Sequence, residues 1–527
     1  MRTRPDIMSL NAMVSTSSIY ASRTGVSVLE EGGNIADAAI ATSAVLAVTQ
    51  NNLCGLGGDG FALLRMKGKV ISINSSGKSS RNINADIYGK KGMDSIPYMG
   101  PLAAITVPGL VGLWQDLEKY SSMEINDLLK YAIKIAREGF PVTHNYAKSI
   151  EATLRRTKDR NFKETFSSNG LPPLQGDIFF QEDLASTIES LSNDGLDSFY
   201  RGNFADNLLK AFKKSEVFID EIDLSKHRAK IQDPLKSKYD DRVIYELPPN
   251  SQGGTVNFNL NSLKFMNDDS LSYEEKIMKS HLIANKFRRT YIGDPDRMPL
   301  PSTYLDESFY WKVVESLNDG KSASGKDGDT TYFTIANTDG DAISMIQSNY
   351  TGFGSTVVPE GTGFSLQNRG SYFSLNPDHH NYLEPEKRTF HTLCAGMVER
   401  NGEFEYSIGT MGGDIQPQVH VNKIHEMIDL GMTPQEAIDL PRINIPANIY
   451  EDPDLLIFEQ GASFNYNLSK YFKRIKQTSF LDSSHGHCQI IKRGENGVLF
   501  GGADPRGDGF ALCIIDIASP SVFAMVK

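Results

Sequence analysis

Thr330 is the residue whose place in the sequence suggests chemistry most directly. It opens the strongly β-type segment TTYFTIAN, directly after NDGKSASGKDGD at 318–329, a stretch with no large apolar side chain and therefore expected to be exposed and mobile. If the Asp329–Thr330 peptide were cut, Thr330 would carry a free α-amine beside its own hydroxyl. A threonine hydroxyl is a poor nucleophile at neutral pH, and an N-terminal amine near its pKa is a suitable base for it. The same hydroxyl could make the cut by attacking the Asp329 carbonyl and forming an ester that water opens. From these residues alone the plain reading is stronger: Thr330 and Thr331 start a strand, as β-branched residues often do.

Other clusters invite chemistry less well. CGLGGDG at 54–60 has the glycines of a phosphate cradle, but its order is helix, glycines, strand, whereas dinucleotide binding needs strand, glycines, helix. A tight backbone turn near a site is the expectation there. His485, His487 and Cys488 in SSHGHC carry donors that suit zinc, yet no second Cys/His pair stands at ligand spacing, so a strand's solvent face plus a buried thiol is expected. His379-His380 reads as a surface loop, and Arg506-Gly507-Asp508 as a turn.

The elements that must position these residues mix helices and strands. Residues 16–31 suit a helix that stops at Gly32-Gly33, and Asn34 with Asp37 can cap the nearly all-apolar helix that follows. Helices are also expected over 126–138, 178–194, 204–214 and 270–290. TTYFTIAN and AISMIQS flank Asp339-Gly340 as a hairpin, and FEYSIGTMGGD reads as a strand entering a glycine turn. Thr433-Pro434-Gln435-Glu436 supplies an N-cap, a first-turn proline and a capping glutamate for a short helix ended by Pro441. Without the regular alternation of a parallel sheet, the fold class is α+β.

Composition narrows the partners. The chain has 527 residues, 39% hydrophobic, with 54 basic against 65 acidic side chains for a net charge of −11. No basic cluster interrupts that acidity, so nucleic acid is excluded as an expected partner. The most apolar stretch, Ala38 to Val48, is too short to cross a bilayer, and no apolar run follows the first arginines as a secretory signal would require. Four cysteines without paired spacing argue against a disulfide framework. A cytoplasmic enzyme of two or three units, or one intertwined unit, is expected.

Read together, the blocks resemble one family. GDTTYFTIANTDGDAISMIQS, then GFG at 352–354, KRTFHTL at 387–393, GTMGGD at 409–414 and ADPRGDG at 503–509 resemble the small subunit of the gamma-glutamyltranspeptidase family. LEEGGNIADAAIATSAVLAV followed by NNLCGLGGDGF is similar to the start of that family's large subunit, and the collinear likeness runs from about residue 10 to about 515. The resemblance implies a four-layer αββα sandwich of the N-terminal-nucleophile hydrolase type, cleaved at Asp329–Thr330 into residues 1–329 and 330–527 of one intertwined domain. It places the nucleophile at Thr330, a supporting hydroxyl at Ser348 (usually threonine in the family), and oxyanion donors at the backbone N–H groups of Gly412 and Gly413. No cofactor or metal is implied.

Departures fall in the recognition half. INSSGKSS at 73–80 lacks the arginine that holds a glutamyl carboxylate, although Lys78 is nearby. Asn368-Arg369-Gly370-Ser371-Tyr372 replaces the family's grip on the glutamyl amine, and His391-Thr392 replaces a serine pair. IQSxYxxFGS, QNRG and KRxxHTL resemble the branch that includes oxamate amidohydrolase. A self-processing amidohydrolase of a small anionic amide is therefore the leading reading, with Arg369 holding the carboxylate, helped by Tyr350, His391 and Thr392. Gamma-glutamyl transfer or glutathione hydrolysis, and an uncleaved inactive scaffold, stay open. The fragments are expected to remain associated, with a dimer of processed pairs an open option.

Overall fold

The β-type run after Asp329 forms the strand Asp329–Asn337, which turns through Gly340 at φ +85° into Ala342–Tyr350. The turn chemistry and the hairpin agree with the sequence pattern. The computed structural model describes residues 2–318, 329–446 and 455–515, so the expected mobile stretch before Asp329 lies, apart from its ends, outside the described residues.

This hairpin sits at the centre of a seven-stranded antiparallel sheet in the order Phe510–Cys513, Ala12–Thr16, Asp329–Asn337, Ala342–Tyr350, Asp59–Met66, Lys69–Asn74, Lys230–Gln232. A second antiparallel sheet runs Ile7–Ser9, Leu499–Ala503, Cys488–Arg493, Glu403–Thr410, Gly396–Arg400, Arg242–Glu246, Leu235–Tyr239. The two pack face to face through Met13, Phe61, Tyr332, Ile346, Met397 and Ile491. Strands covered on both faces read as continuous apolar runs rather than alternating ones, which is why Thr330–Ala336 is buried throughout.

Helices cover both outer faces. On the first sheet lies Ile35–Thr49, every residue of it buried, its start fixed by the expected Asn34–Asp37 capping box. Each fully buried Val, Leu or Ile in such a helix contributes roughly 1.5–3 kcal/mol. Gly253–Ser262, Gln416–Ile428 and Pro434–Asp439 cover the second sheet, and the last opens with the expected Thr433–Glu436 capping box. The result is an α+β, four-layer αββα sandwich. No helix among the described residues is long and apolar enough to cross a membrane.

Element boundaries shift where tertiary partners intervene. The helix expected over 16–31 spans Ile19–Glu30, because the residues before it pair in a strand. The segment 178–194 divides: Ile178–Phe179 pairs with Phe140–Pro141, and the helix begins at Glu182.

Chain order and sheet order are interleaved. In the first sheet Ala12–Thr16 lies between Phe510–Cys513 and Asp329–Asn337, and Ala342–Tyr350 pairs with Asp59–Met66, so strands from both sides of the Asp329–Thr330 bond interleave; both groups also contribute to the second sheet. Cleavage between Asp329 and Thr330 is therefore expected to leave two fragments that co-elute in native size-exclusion chromatography and separate only in denaturant. Release of the smaller fragment under native conditions would contradict the shared core.

Candidate active site

The hairpin register slips at Thr330. Asp329 pairs with Tyr350 but Thr331 pairs with Gln347, so Ser348 and Asn349 both stand opposite Thr330. Such a bulge re-aims side chains, and it ends at Tyr350, held at φ +81°, a conformation costly for a non-glycine residue.

Ser348 Oγ is the node of the site. It donates to the Asp329 carbonyl oxygen at 2.7 Å and accepts from the Tyr350 N–H at 2.8 Å. Thr330 Oγ1 and Arg369 Nη2 each approach the same oxygen at 3.2 Å. A hydroxyl has one proton and two lone pairs. Thr330 and Arg369 therefore share the one lone pair that remains. The Thr331 hydroxyl turns elsewhere, donating to Gln50 Oε1 at 3.1 Å.

Arg369 is buried, with 1% of its surface exposed. Its Nη1 donates to Thr392 Oγ1 at 2.9 Å, and its cation lies 4.4 Å from the Tyr350 ring centre and 5.8 Å from that of Tyr372. Burial lowers its pKa from the ordinary arginine value, opposed by the tyrosines and by Asp59 and Asp414. Thr330, Ser348, Tyr350, Arg369 and Thr392 are thus brought together.

The His391 ring is committed to another partner. Its Nε2 lies 3.1 Å from Asp59 Oδ2, both side chains fully buried, and its backbone N–H donates to the Asn250 carbonyl. Burial, then the Arg369 cation, holds the imidazolium pKa well below the usual value. Burial pushes the Asp59 carboxyl up to about 7, although Gln367 and the Gly77 N–H donate to it. The pair is a neutral imidazole beside a carboxyl, and the second ring nitrogen, Nδ1, accepts from the Leu393 N–H at 3.4 Å, so both ring nitrogens are engaged. Lys78 pairs with Asp296 at the surface.

The glycine turn follows the strand Glu403–Thr410. Gly412 and Gly413 take φ +123° and +58°, both in the positive-φ region that disfavours side chains, and neither backbone N–H has an acceptor among the described residues. Two free N–H groups on a close-approaching backbone can stabilise a developing oxyanion. A cleft of about 830 Å³ reaches this side of the site, lined by Asp329, Met411, Gln50, Asn52, Lys148 and His487.

The glycine loop at 54–60 is the back wall. A Cβ on Gly58 would stand 2.4 Å from the Ser348 carbonyl oxygen, so the loop is a close backbone approach, as expected, rather than a phosphate cradle. SSHGHC departs from expectation: His485 and His487 are buried rather than solvent-facing, His485 Nε2 lying 3.0 Å from Thr478 Oγ1. Arg506-Gly507-Asp508 is a turn whose arginine is buried against Glu459 and Asp504. A potential metal-ligating group was missed: Glu246, Cys394 and His420, all buried. There Nδ1 of His420 faces Glu246 at 2.8 Å and Nε2 faces Cys394 Sγ at 3.9 Å, so the ring bridges the other two instead of converging with them. Sequence reading also missed Asp59, Gln252, Arg288 and Asp414; the dense polar run PPNSQGG at 248–254 was the available signal for Gln252.

The chain is similar to known proteins along most of its length. The gamma-glutamyltranspeptidase family model matches residues 21–514. The glutathione hydrolase-like YwrD proenzyme of Bacillus subtilis is 34% identical over 532 residues, covering 96% of this chain and 99% of that protein. The oxamate amidohydrolase proenzyme of Klebsiella pneumoniae is 32% identical over 510 residues, covering 93% and 96%. The crystal structure of cephalosporin acylase from Bacillus halodurans superposes with a TM-score of 0.89 at 32% identity, covering 98% of each chain.

The Asp59 environment sets a pH dependence. Its pKa is raised in the folded state, so its contribution to stability is present in acid and lost as pH climbs through about 7. Asp59→Asn removes that titration. The melting temperature of the variant minus that of the unmodified protein is expected to rise between about pH 4 and pH 8; parallel melting curves would contradict the burial argument.

Proposed function

This chain belongs to the gamma-glutamyltranspeptidase family, and on that premise we propose that it is a self-processing N-terminal threonine hydrolase of small amides whose acyl part carries a carboxylate. Residues 1–329 would form the large fragment and 330–527 the small catalytic one. The observation that carries the reading is a buried guanidinium one hydroxyl away from Thr330.

In processing, Thr330 Oγ1 attacks the Asp329 carbonyl carbon while Ser348 polarises the carbonyl by donating to its oxygen. The C–O bond forms, the C–N bond breaks, and the nitrogen takes the proton to become the Thr330 amine. Water then opens the ester and leaves the Asp329 carboxylate. In turnover that amine takes the hydroxyl proton as Thr330 attacks the substrate carbonyl. The N–H groups of Gly412 and Gly413 hold the oxyanion, the leaving amine takes the proton, and water hydrolyses the acyl-enzyme.

Arg369 and Thr330 approach the same Ser348 oxygen, so a carboxylate on Arg369 must lie within a few atoms of the scissile carbonyl. That favours a short acyl group, in keeping with the amidohydrolase relative. The glutathione hydrolase relatives favour hydrolysis of a gamma-glutamyl donor such as glutathione instead. Against that, a buried cation stands where a glutamyl amine would dock, and repulsion rejects a wrong substrate efficiently.

Thr330→Ala is expected to leave one full-length band and remove turnover by orders of magnitude, whereas Thr331→Ala retains part of both. Arg369→Gln should lower kcat/KM on a short anionic amide by about 100-fold, a loss of about 2.7 kcal/mol, and slow processing far less, because processing needs no external carboxylate. Fast release from a gamma-glutamyl anilide, accelerated by glycylglycine, would replace this reading with gamma-glutamyl transfer. An active protein that never forms the two fragments would overturn the self-processing step.

A further inference from the structure

We infer that Gln252 is a positioning residue that sets the glycine turn and locks it to the residues holding Arg369; this rests on the reading of Gly412 and Gly413 as oxyanion donors. Two consecutive glycines form the softest stretch of backbone a chain can offer. An oxyanion site must nevertheless be fixed before the reaction, since donors that reorganise during it contribute little. Something must hold this turn.

Gln252 is fully buried and spans the two halves of the site. Its Nε2 donates to the Gly413 carbonyl at 2.9 Å and to the Thr392 carbonyl. Its Oε1 accepts from Arg288 Nη1 at 2.8 Å, and the same nitrogen reaches Asp414 Oδ1 at 2.6 Å. The Tyr372 hydroxyl also donates to the Asp414 carboxylate. Gly413 is therefore gripped at its own carbonyl and, through Arg288, at the side chain of the next residue. Thr392, at the other end, is the residue whose hydroxyl accepts from Arg369.

The anchor is itself anchored. Asn250 Nδ2 donates to the Thr389 carbonyl at 2.7 Å, Ser251 Oγ to the Leu393 carbonyl at 2.6 Å, and the helix Gly253–Ser262 begins immediately after Gln252. A primary amide suits the post because it has two N–H donors for two carbonyls and an acceptor for a guanidinium. A carboxylate of the same size would satisfy Arg288 but would face the two carbonyls with no proton to give.

Gln252→Glu is the test, on purified, processed protein with fragment masses and melting temperature recorded. The expected result is a kcat lower by about 10- to 100-fold with KM changed less than about threefold. A boronate or phosphonate that places an oxyanion between Thr330 and the glycine turn should lose affinity by the same factor as kcat/KM. Unchanged kcat in processed protein, or a loss carried by KM alone, overturns the inference, since a merely structural role would lower the melting temperature without moving the inhibitor. If Gln252→Glu does not fold, Gln252→Met and Arg288→Lys carry the same comparison, and unchanged kcat in both overturns it equally. Thr330→Ala, run alongside, keeps the two ideas apart: activity there sinks the threonine reading whatever Gln252 does, whereas an inactive Thr330→Ala with a fully active Gln252→Glu sinks only the clamp.

Discussion

One hydroxyl, on Ser348, has to serve the Asp329 carbonyl, the Thr330 hydroxyl, the Tyr350 amide and the Arg369 guanidinium. It cannot satisfy all four at once with one proton and two lone pairs. That shortage is useful. With Asp329 joined to Thr330, the Ser348 proton is committed to the Asp329 carbonyl; under the proposed cleavage the hydroxyl would be released to orient the new N-terminal residue. The surrounding architecture is what crowds four groups onto one oxygen: a register slip in the central hairpin, a strained Tyr350, and a glycine loop thin enough to press on the Ser348 backbone. A Cβ on Gly58 would push that wall away.

Buried charge divides the site by role. Leaving a cation such as Arg369 dry is costly unless aromatic faces, hydroxyls and nearby carboxylates compensate. Tyr350, Tyr372, Thr392 and Ser348 do so here, and the cation stays against the hydroxyl that also meets Thr330. Arg288 is spent differently, on Gln252 and Asp414, where it stiffens backbone rather than meeting substrate. Asp59, lacking a full counter-charge, resolves its burial by holding its proton to higher pH beside a neutral His391.

Local rules made much of the scaffold legible in sequence. The Asn34 and Thr433 caps, the Asp339-Gly340 turn and the start of the Thr330 strand depend on neighbours a few residues away, and the structure has them where the pattern put them. The collinear blocks brought Thr330, Ser348, Arg369 and the glycine pair into one expected site. What stayed hidden depends on distant pairing: Asp59 with His391, 332 positions apart, and Gln252 with Gly413, 161 apart. Residue type says an imidazole can meet a carboxylate; only the packed sheets decide that His391 turns to Asp59. The same holds for SSHGHC, whose histidines are buried by tertiary packing that no local pattern encodes.

The most direct measurement is intact-mass analysis of the purified protein, quenched in acid during turnover of a short carboxylate-bearing amide. The expected result is two fragments meeting at Asp329 and Thr330, with the acyl mass transiently on the smaller one and mapped by fragmentation to Thr330. An acyl adduct on any other residue, or turnover by a chain whose Asp329–Thr330 bond is intact, would contradict the account.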